Sequence, residues 1–343
     1  MMKLKMEKVF FENKENFISF NSSIYSTRLS AIEQAQYKFN LSPQLSFVAT
    51  DNNKVVGQII LYPASFFYLN NKENCVFAYD YIVHPEYLNT GIGVKLLSKT
   101  IKEYIHFGIG LSDISRKLHL VLKEKPVGNI HKYLFTKNLL TYFYAGFKTY
   151  LKFSVRKMPS KIFWQPSVEF NSFTGVKTNS LPSYIRPWND DLIEFGRDKE
   201  FLELRFERFI SKYAYYQIFD YQQKLQGYFI LRVELWRGMR VIIVSDYRVK
   251  KDNNKAFDLI IFVTKKLMKQ NRLDAVLFGS SLKIIDDRLI ANNFKKVGLP
   301  SEIFTNLPLE SGWESKAVER NLIFATPADS DFEFNLGNEL WKK

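Results

Sequence analysis

The sequence has a single cysteine and no long apolar run, and each of these absences excludes a class of protein. Cys75 alone cannot form a disulfide framework or a cysteine-based zinc site, and its isolation is typical of a reducing compartment. The longest apolar run, residues 59–69, is interrupted by Pro63 and Ser65 and is far shorter than the ~20 residues of a membrane-spanning helix. Charges are scattered through residues 1–20, where a signal peptide would need an apolar core. We therefore expect a soluble, cytoplasmic protein.

Acidic residues are also scarce relative to basic ones. The 343 residues include 49 Lys and Arg against 35 Asp and Glu, a formal net charge of +14. Residues 1–157 hold 21 basic and 11 acidic residues, and so carry +10 of that charge. Such a field favours an anionic partner, such as nucleic acid, a membrane surface or an anionic cofactor. A hydrophobic content of 46% excludes a disordered chain, and the length predicts two domains.

Local patterning alternates between strand-like and helix-like segments, which predicts an α/β chain with a mixed sheet. Runs of β-branched and aromatic residues predict strands, and apolar residues at three- and four-residue spacing predict helices. In the first half the predicted strands are 45–50, 55–61, 75–83, 118–122 and 147–155, and the predicted helices are 27–38, 90–104 and 129–142. In the second half we predict a strand at 275–279 and helices at 254–269 and 284–292.

The second half repeats features of the first. Residues 224–227 resemble residues 54–57 at an offset of 170 (227 minus 57), and each segment begins a predicted strand. Residues 245–249 resemble residues 79–83 at an offset of 166 (246 minus 80), and each segment ends one. The same order of elements surrounds both matches. We therefore predict an internal duplication.

The segment with the clearest chemical character is residues 83–97. A predicted strand runs into a short turn, and Gly91 and Gly93 open an amphipathic helix. Glycine allows the backbone to approach a ligand closely. The first N–H groups of a helix have no internal partners and lie at the positive end of its dipole. The segment therefore has the physical properties of a pyrophosphate-binding turn.

This segment resembles the acetyl-CoA-binding segment of the GNAT superfamily of N-acetyltransferases. The similarity rests on residues 83–87 before the glycines, on the paired leucines after them, and on the order of predicted elements over about residues 8–155. A second similarity is the Tyr…Gly-Phe signature that closes the family's fourth helix, here at Tyr142, Gly146 and Phe147. The family's Arg or Gln at the start of the loop is replaced by Leu88.

The resemblance implies acetyl-CoA as co-substrate and a set of residues that hold it. The loop would cradle the pyrophosphate, the end of the preceding strand would offer backbone groups to the pantetheine arm, and Lys95 would either reach the 3′-phosphate or stay in solvent. The implied binding residues are Ile82, Val83, Leu88, Asn89, Thr90, Gly91, Ile92, Gly93, Val94 and Lys95. No metal is expected, because His84, His106, His119 and His131 lack the spacing of metal ligands and read as surface or satisfied groups.

Catalysis of amine acylation needs a base for the amine and a proton for the leaving thiolate. By the resemblance, Tyr142 is the general acid. The base is Asp80, Tyr79 or a chain of water molecules. Strict alternation puts Phe77, Tyr79 and Tyr81 on one face of the strand and Asp80 on the other. Only a bulge would move Asp80 to the face that carries the base in the family.

The resemblance divides the chain into an acetyl-CoA-binding domain at 1–157, a linker at 158–184 and a degenerate GNAT-like domain at 185–343. The second domain lacks the Gly-x-Gly, so we expect it to complete the substrate cleft or to form a homodimer surface. The charged helix at 197–206 loosely resembles one in tandem GNAT proteins of bacterial surface-polysaccharide gene clusters. That similarity implies an amino-sugar or nucleotide-sugar acceptor.

The principal hypothesis is acetyl-CoA-dependent N-acyl transfer to a small amine by direct attack, with no covalent enzyme intermediate. Two alternatives stay open. A Fem-type transferase would use aminoacyl-tRNA, although the CoA-type Gly-x-Gly argues against it and makes nucleic acid an unexpected partner. A non-catalytic CoA-binding or interaction protein would keep the scaffold without the reaction.

Overall fold

The computed structural model describes residues 4–9, 13–24, 44–137, 158, 159, 161–180, 189–206, 213–236 and 238–329. The strands of the first half are β1 (Leu4–Lys8), β2 (Phe47–Asp51), β3 (Lys54–Tyr68), β4 (Asn71–Val83), β5 (His106–Ile109) and β6 (Lys125–Phe135). Those of the remainder are β7 (Ser167–Phe170), β8 (Phe173–Thr178), β9 (Ile193–Phe195), β10 (Tyr213–Asp220), β11 (Leu225–Trp236), β12 (Met239–Val249), β13 (Ala275–Ser280), β14 (Lys295–Lys296), β15 (Ser301–Thr305) and β16 (Ile323–Phe324). The helices are α1 (Lys14–Ile24), α2 (Ile92–Glu103), α3 (Asp113–Val121), α4 (Lys199–Phe206), α5 (Asn254–Gln270), α6 (Lys283–Ala291) and α7 (Trp313–Val318).

The strands form one continuous mixed sheet that passes through both halves. Its main order is β1-β2-β3-β4-β5-β15-β6-β13-β12-β11-β10-β8-β7. Each half gives one strand to the other at the centre, because β15 from the end of the chain pairs with β5, and β6 pairs with β13. The two halves are therefore joined by main-chain hydrogen bonds between strands far apart in sequence.

The two halves agree in register as well as in order. β3 pairs with β4 through Gly57 and Val83, and β11 pairs with β12 through Gly227 and Val249. Each pair has a bulge in the second strand, at Tyr79 in β4 and at the equivalent residue of β12. The short parallel pairings of β4 with β5 and of β12 with β13 also fall at matching residues. These registers reproduce both offsets of the sequence comparison.

The hydrophobic core lies on both faces of the sheet. In the first half, α2 packs its apolar stripe on one face through Ile92, Leu96 and Leu97, and α1 packs Phe17 and Phe20 on the other. Gly57 lets α2 approach β3 closely, since a Cβ there would lie 3.0 Å from Ile92 Cγ2. In the second half, α5 packs a largely apolar stripe against β11, β12 and β13. Within the described ranges, no helix is both long and apolar enough to cross a membrane.

Several local predictions are wrong. Residues 118–122, predicted as a strand, lie at the end of α3, and residues 129–135 of the predicted helix 129–142 belong to β6. The predicted linker 158–184 contains β7 and β8, which are paired with each other and with β10. The predicted helix at 27–38 and strand at 147–155 lie outside the described residues.

Candidate functional site

A cleft opens in the first half where two parallel strands separate. β4 and β5 pair only at Val76 with His106 and at Phe77 with Phe107. Beyond these residues β4 continues to Val83 with no ladder partner on that side among the described residues. Every second residue of this stretch directs its backbone N–H and C=O groups away from β3, and these groups therefore face the cleft with hydrogen-bonding capacity to spare.

The loop at the mouth of this cleft leads into the N-terminus of α2. A short 3-10 helix, Pro85–Tyr87, follows β4, and Thr90 Oγ1 donates a 2.6 Å hydrogen bond to the Tyr87 carbonyl. Asn89 and Gly91 adopt left-handed backbone conformations, with φ of 67° and 80°. No side chain caps α2, and a Cβ at Gly91 would meet no atom within 4 Å. The first N–H groups of α2 thus face open space at the positive end of the helix.

The second glycine of the loop makes room for a protein side chain. A Cβ at Gly93 would lie 2.8 Å from the hydroxyl of Tyr81, which reaches the first turn of α2 from β4. That hydroxyl is buried and has no hydrogen-bond partner among the described residues. Burial raises the pKa of Tyr81, so the group stays protonated and can both donate and accept. A ligand in the cleft would satisfy it.

The remaining predicted loop residues divide by exposure. Leu88 is 53% exposed, in the place where the family's cationic or amide side chain would stand. Ile92 is buried in the core under α2, and Val94 is half-buried. Lys95 is exposed on the helix surface, one turn into α2. Apart from Tyr81, the described polar groups at the mouth are therefore mainly backbone ones.

The bulge at Tyr79 corrects the predicted strand faces. Because the bulge adds one residue to β4, Tyr81 packs on the α2 face with Ala78, and Asp80 turns to the α1 face. There Asp80 Oδ2 accepts a 2.9 Å hydrogen bond from Gln58 Nε2. Gln58 is itself joined to Asn21 of α1 by two amide hydrogen bonds of 2.8 and 3.0 Å. A buried pair of amides thus fixes the Asp80 carboxylate.

The matching cleft of the second half is closed. Tyr247, at the position equivalent to Tyr81, donates its hydroxyl to the Gly279 carbonyl of β13 at 3.3 Å. The N-terminus of α5 is capped by Asn253, whose side chain accepts a hydrogen bond from the Ala256 N–H. These two contacts use the groups that stay available in the first half.

Asp246, the counterpart of Asp80, serves the fold. It is fully buried and accepts a 2.9 Å hydrogen bond from Arg197 Nε, while Arg248 lies 3.3 Å from its other oxygen. Burial alone would raise the pKa of Asp246, but the two guanidinium groups lower it to about 2. Arg197 also pairs with Asp329 at 2.7 Å, so the cluster links three segments of the chain.

Two predicted catalytic residues cannot be placed in this geometry. Tyr142 lies outside the described residues. Tyr79 is located as the bulge residue of β4, and its backbone position is all that the structure describes.

Two of the four histidines belong to a buried cluster. His106 and His119 are buried and meet Glu124, which accepts a 2.9 Å hydrogen bond from His106 Nδ1. The spacing of these residues in sequence hid the cluster, because its members lie on a strand, a helix and a turn. A correct assignment of α3 would have been the signal needed to find it.

Comparison with known proteins connects this geometry to a family. The model of the acetyltransferase (GNAT) family matches residues 12–119, a range that includes the cleft strands, the glycine loop and α2. Residues 12–119 form a GNAT domain. Together with the mixed α/β fold, this places the protein in the acyltransferase class.

Solved structures with the same fold match both halves of the chain and not only residues 12–119. A GCN5-related N-acetyltransferase from Anabaena variabilis has a TM-score of 0.61 and 13% identity, with 88% of this chain and 72% of that chain covered. A GCN5-related N-acetyltransferase from Kribbella flavida has a TM-score of 0.54 and 8% identity, with 89% and 71% covered. Saccharomyces cerevisiae N-myristoyltransferase with bound myristoyl-CoA has a TM-score of 0.51 and 10% identity, with 88% and 82% covered. Curated protein sequences contain no match to this chain.

The residues present fit the acyl-CoA that a GNAT fold binds. The uncapped N-terminus of α2 and the open space at Gly91 suit a pyrophosphate. The unpaired edge of β4 suits the amides of a pantetheine arm, as does the unpartnered hydroxyl of Tyr81.

Proposed function

We propose that the protein is an acyl-CoA-dependent N-acyltransferase with one active cleft, in the first half. The observation that carries this proposal is the contrast between the two clefts. The first has an uncapped helix N-terminus and an unpartnered tyrosine hydroxyl, whereas the second uses the equivalent groups for internal hydrogen bonds. Buried polar groups are normally paired, so the open set indicates a ligand.

The chain's own groups would hold acyl-CoA along this cleft. The pyrophosphate would accept hydrogen bonds from the N–H groups at 91–94, and the edge of β4 at Ile82 and Val83 would bind the pantetheine amides. Lys95 is exposed one turn away, where it can reach a phosphate of the cofactor. When bound, acyl-CoA supplies the thioester that reacts. The point where β4 and β5 separate, next to Phe77, would then be the reaction centre.

Proton transfer is assigned to Asp80 and Tyr142. The amine acceptor arrives mainly as an ammonium ion and must lose a proton before it can attack. Asp80 is the proposed base, because the bulge and the Gln58 amide hold its carboxylate in one place on β4. Tyr142 remains the proposed donor to the departing thiolate.

Direct attack of the amine needs no enzyme nucleophile. The nearest candidate on β4 is Cys75, and burial raises the pKa of its thiol well above the ordinary value. A protonated, buried thiol is a poor nucleophile. The acyl group would therefore pass straight from sulfur to nitrogen.

A cavity behind the reaction centre is the proposed acceptor site. It has a volume of about 490 Å³ and is lined by Cys75 and Val76 on the paired part of β4. Its wall also carries three carboxylates and the aromatic rings of Tyr104 and Phe201; the carboxylates are Glu103, Asp198 and Glu200. Lys8 pairs with Glu103, and Lys72 pairs with Asp198. Carboxylates and aromatic rings favour a cationic acceptor, which agrees with a small amine such as an amino sugar.

The second half is proposed to be a duplicated domain that has lost its cofactor site. The matching registers and the bulges of β4 and β12 support the duplication. A Fem-type reaction is disfavoured, since those enzymes bind no CoA and would not need the uncapped loop at Gly91.

The test is an acyl-transfer assay with purified protein, acyl-CoA donors from acetyl to myristoyl and a panel of amines that includes amino sugars. Release of free CoA, together with mass-spectrometric detection of the acylated amine, is expected with at least one donor. Asp80→Asn should lower the rate at least tenfold with unchanged acyl-CoA affinity. Tight binding of acyl-CoA without transfer to any amine would instead support a non-catalytic binding protein.

A further inference from the structure

Three ionisable side chains meet in the interior beside the cleft. His106 begins β5, His119 lies on α3 and Glu124 directly precedes β6. Their side chains are 0–1% exposed. His106 Nδ1 lies 2.9 Å from Glu124 Oε1, His119 Nδ1 contacts Glu124 Oε2, and one candidate ligand atom from each residue lies within 4.8 Å of the others.

Hydrogen bonding within the cluster is incomplete. Among the described residues, His106 Nε2 is buried without a hydrogen-bond partner. His119 Nδ1 meets Glu124 Oε2 as an ion pair. Two imidazoles and a carboxylate that converge in the interior supply the lone pairs with which a metal ion is bound.

The fold does not require polar groups at these positions. α3 and α6 are equivalent helices at an offset of 170 (283 minus 113), and each is followed by a residue with positive φ, Lys123 at 62° and Asn293 at 64°. At the same offset the three residues of the cluster correspond to apolar, buried side chains of the second core, namely Val276, Leu289 and Phe294. One half of the molecule thus fills this space with hydrocarbon, whereas the other half puts two imidazoles and a carboxylate there.

We propose that His106, His119 and Glu124 bind one divalent transition-metal ion, with zinc the best-suited candidate. Two imidazole nitrogens and a carboxylate oxygen are a common zinc ligand set, and water or a small anion completes four-coordination. Because the ligands are buried, the ion has a structural role. This inference is independent of the proposed acyl transfer.

The position of the site explains what such an ion would stabilise. It would join β5, which forms one wall of the cleft, to α3 and the start of β6. The His119 ring also packs on Gly108, where a Cβ would lie 2.7 Å from His119 Cε1. Gly108 is the first residue of β5 beyond its pairing with β4. An ion here would hold the wall in place at the point where the strands separate.

The test is a titration of the chelator-treated full-length protein with Co²⁺ and then Zn²⁺. One Co²⁺ per chain is expected, with the visible absorption of a four-coordinate ion and displacement by Zn²⁺. At a free Zn²⁺ concentration 100 times Kd, the folded-to-unfolded ratio should rise about a hundredfold. Glu124→Gln keeps the volume of the side chain and should weaken metal binding at least tenfold. The matched control is His131→Gln, because His131 pairs with Asp286 outside the cluster.

Two results would overturn the proposal. One is the absence of Co²⁺ and Zn²⁺ binding by the wild-type protein, and the other is equal affinity in wild type and Glu124→Gln. If the variants do not fold, X-ray absorption of the zinc-loaded wild type decides. Two imidazole nitrogens in the first coordination shell are expected, and a shell without imidazole would contradict the assignment.

Discussion

The backbone at Gly91 gives the sharpest test of the cofactor site. Its φ of 80° is unfavourable for any residue with a Cβ, at a cost of about 1–2 kcal/mol. A Cβ there meets no atom of the described residues within 4 Å, so Gly91→Glu should be accommodated at the surface. A carboxylate at the N-terminus of α2 stabilises the folded state by about 0.3–1 kcal/mol through the helix dipole. The variant should therefore fold, with a net loss of about 1 kcal/mol in the free energy of unfolding.

The same carboxylate should greatly weaken cofactor binding. At a distance of ~5 Å and an effective dielectric constant of ~20, its repulsion of one pyrophosphate charge is about 3 kcal/mol, or roughly a hundredfold in Kd. In a thermal-denaturation assay, acetyl-CoA at 100 times the wild-type Kd should stabilise wild type by ~2.7 kcal/mol. At that concentration it should stabilise Gly91→Glu by less than ~0.5 kcal/mol.

Gly312 offers a matched control for this experiment. It is the N-cap residue of α7, has a φ of 85° and also faces open space. Gly312→Glu should therefore cost about as much stability as Gly91→Glu, but it should keep the wild-type response to acetyl-CoA. An unchanged affinity in Gly91→Glu, or equal losses in the two variants, would refute the reasoning.

Three further predictions concern the base, the buried charge cluster and the acid. Gln58→Leu removes the amide that joins Asp80 to α1, so unfolding free energy should fall by about 1–3 kcal/mol and turnover should fall with little change in acyl-CoA affinity. The ionised, paired state of Asp246 stabilises the fold above the pKa that this carboxyl has in the unfolded chain, near 4, and this stabilisation is lost as pH falls towards 2. Chemical denaturation should therefore show a steep loss of unfolding free energy between pH 4 and pH 2. The loss in this window should be smaller in Asp246→Asn. Tyr142→Phe should lower turnover and leave acyl-CoA affinity unchanged, whereas equal losses of both would indicate a packing role.

Much of the fold could be predicted because local patterns decided it. The strands that become β2, β3 and β4 have dense β-branched and aromatic runs, and α2 has a regular apolar stripe. The error at 118–135 has a physical cause. β6 lies at the centre of the sheet between β15 and β13, both of which come from the other half of the chain. Pairing across more than 140 residues, such as Phe135 with Val276, leaves no local signal that distinguishes a strand from a helix.

The candidate site could be predicted only where its features are local in the sequence. The loop at Gly91 carries a local signal, because two glycines between a strand-like run and an amphipathic helix can be seen in the sequence. The bulge at Tyr79 has no signal in the local sequence, because the extra residue in β4 is defined only by the pairing of β4 with β3. That single residue decides which face Asp80 and Tyr81 occupy. The His106 cluster was missed because it needs α3 to be assigned first.

The proposed function requires that the first half of the chain binds acyl-CoA and that the second half does not. Isothermal titration of the wild-type protein with acetyl-CoA measures this directly, through the number of sites per chain. One site per chain is expected, retained in Gly312→Glu and lost in Gly91→Glu at the same concentrations. A stoichiometry of two, or no binding of any acyl-CoA from acetyl to myristoyl, would contradict it.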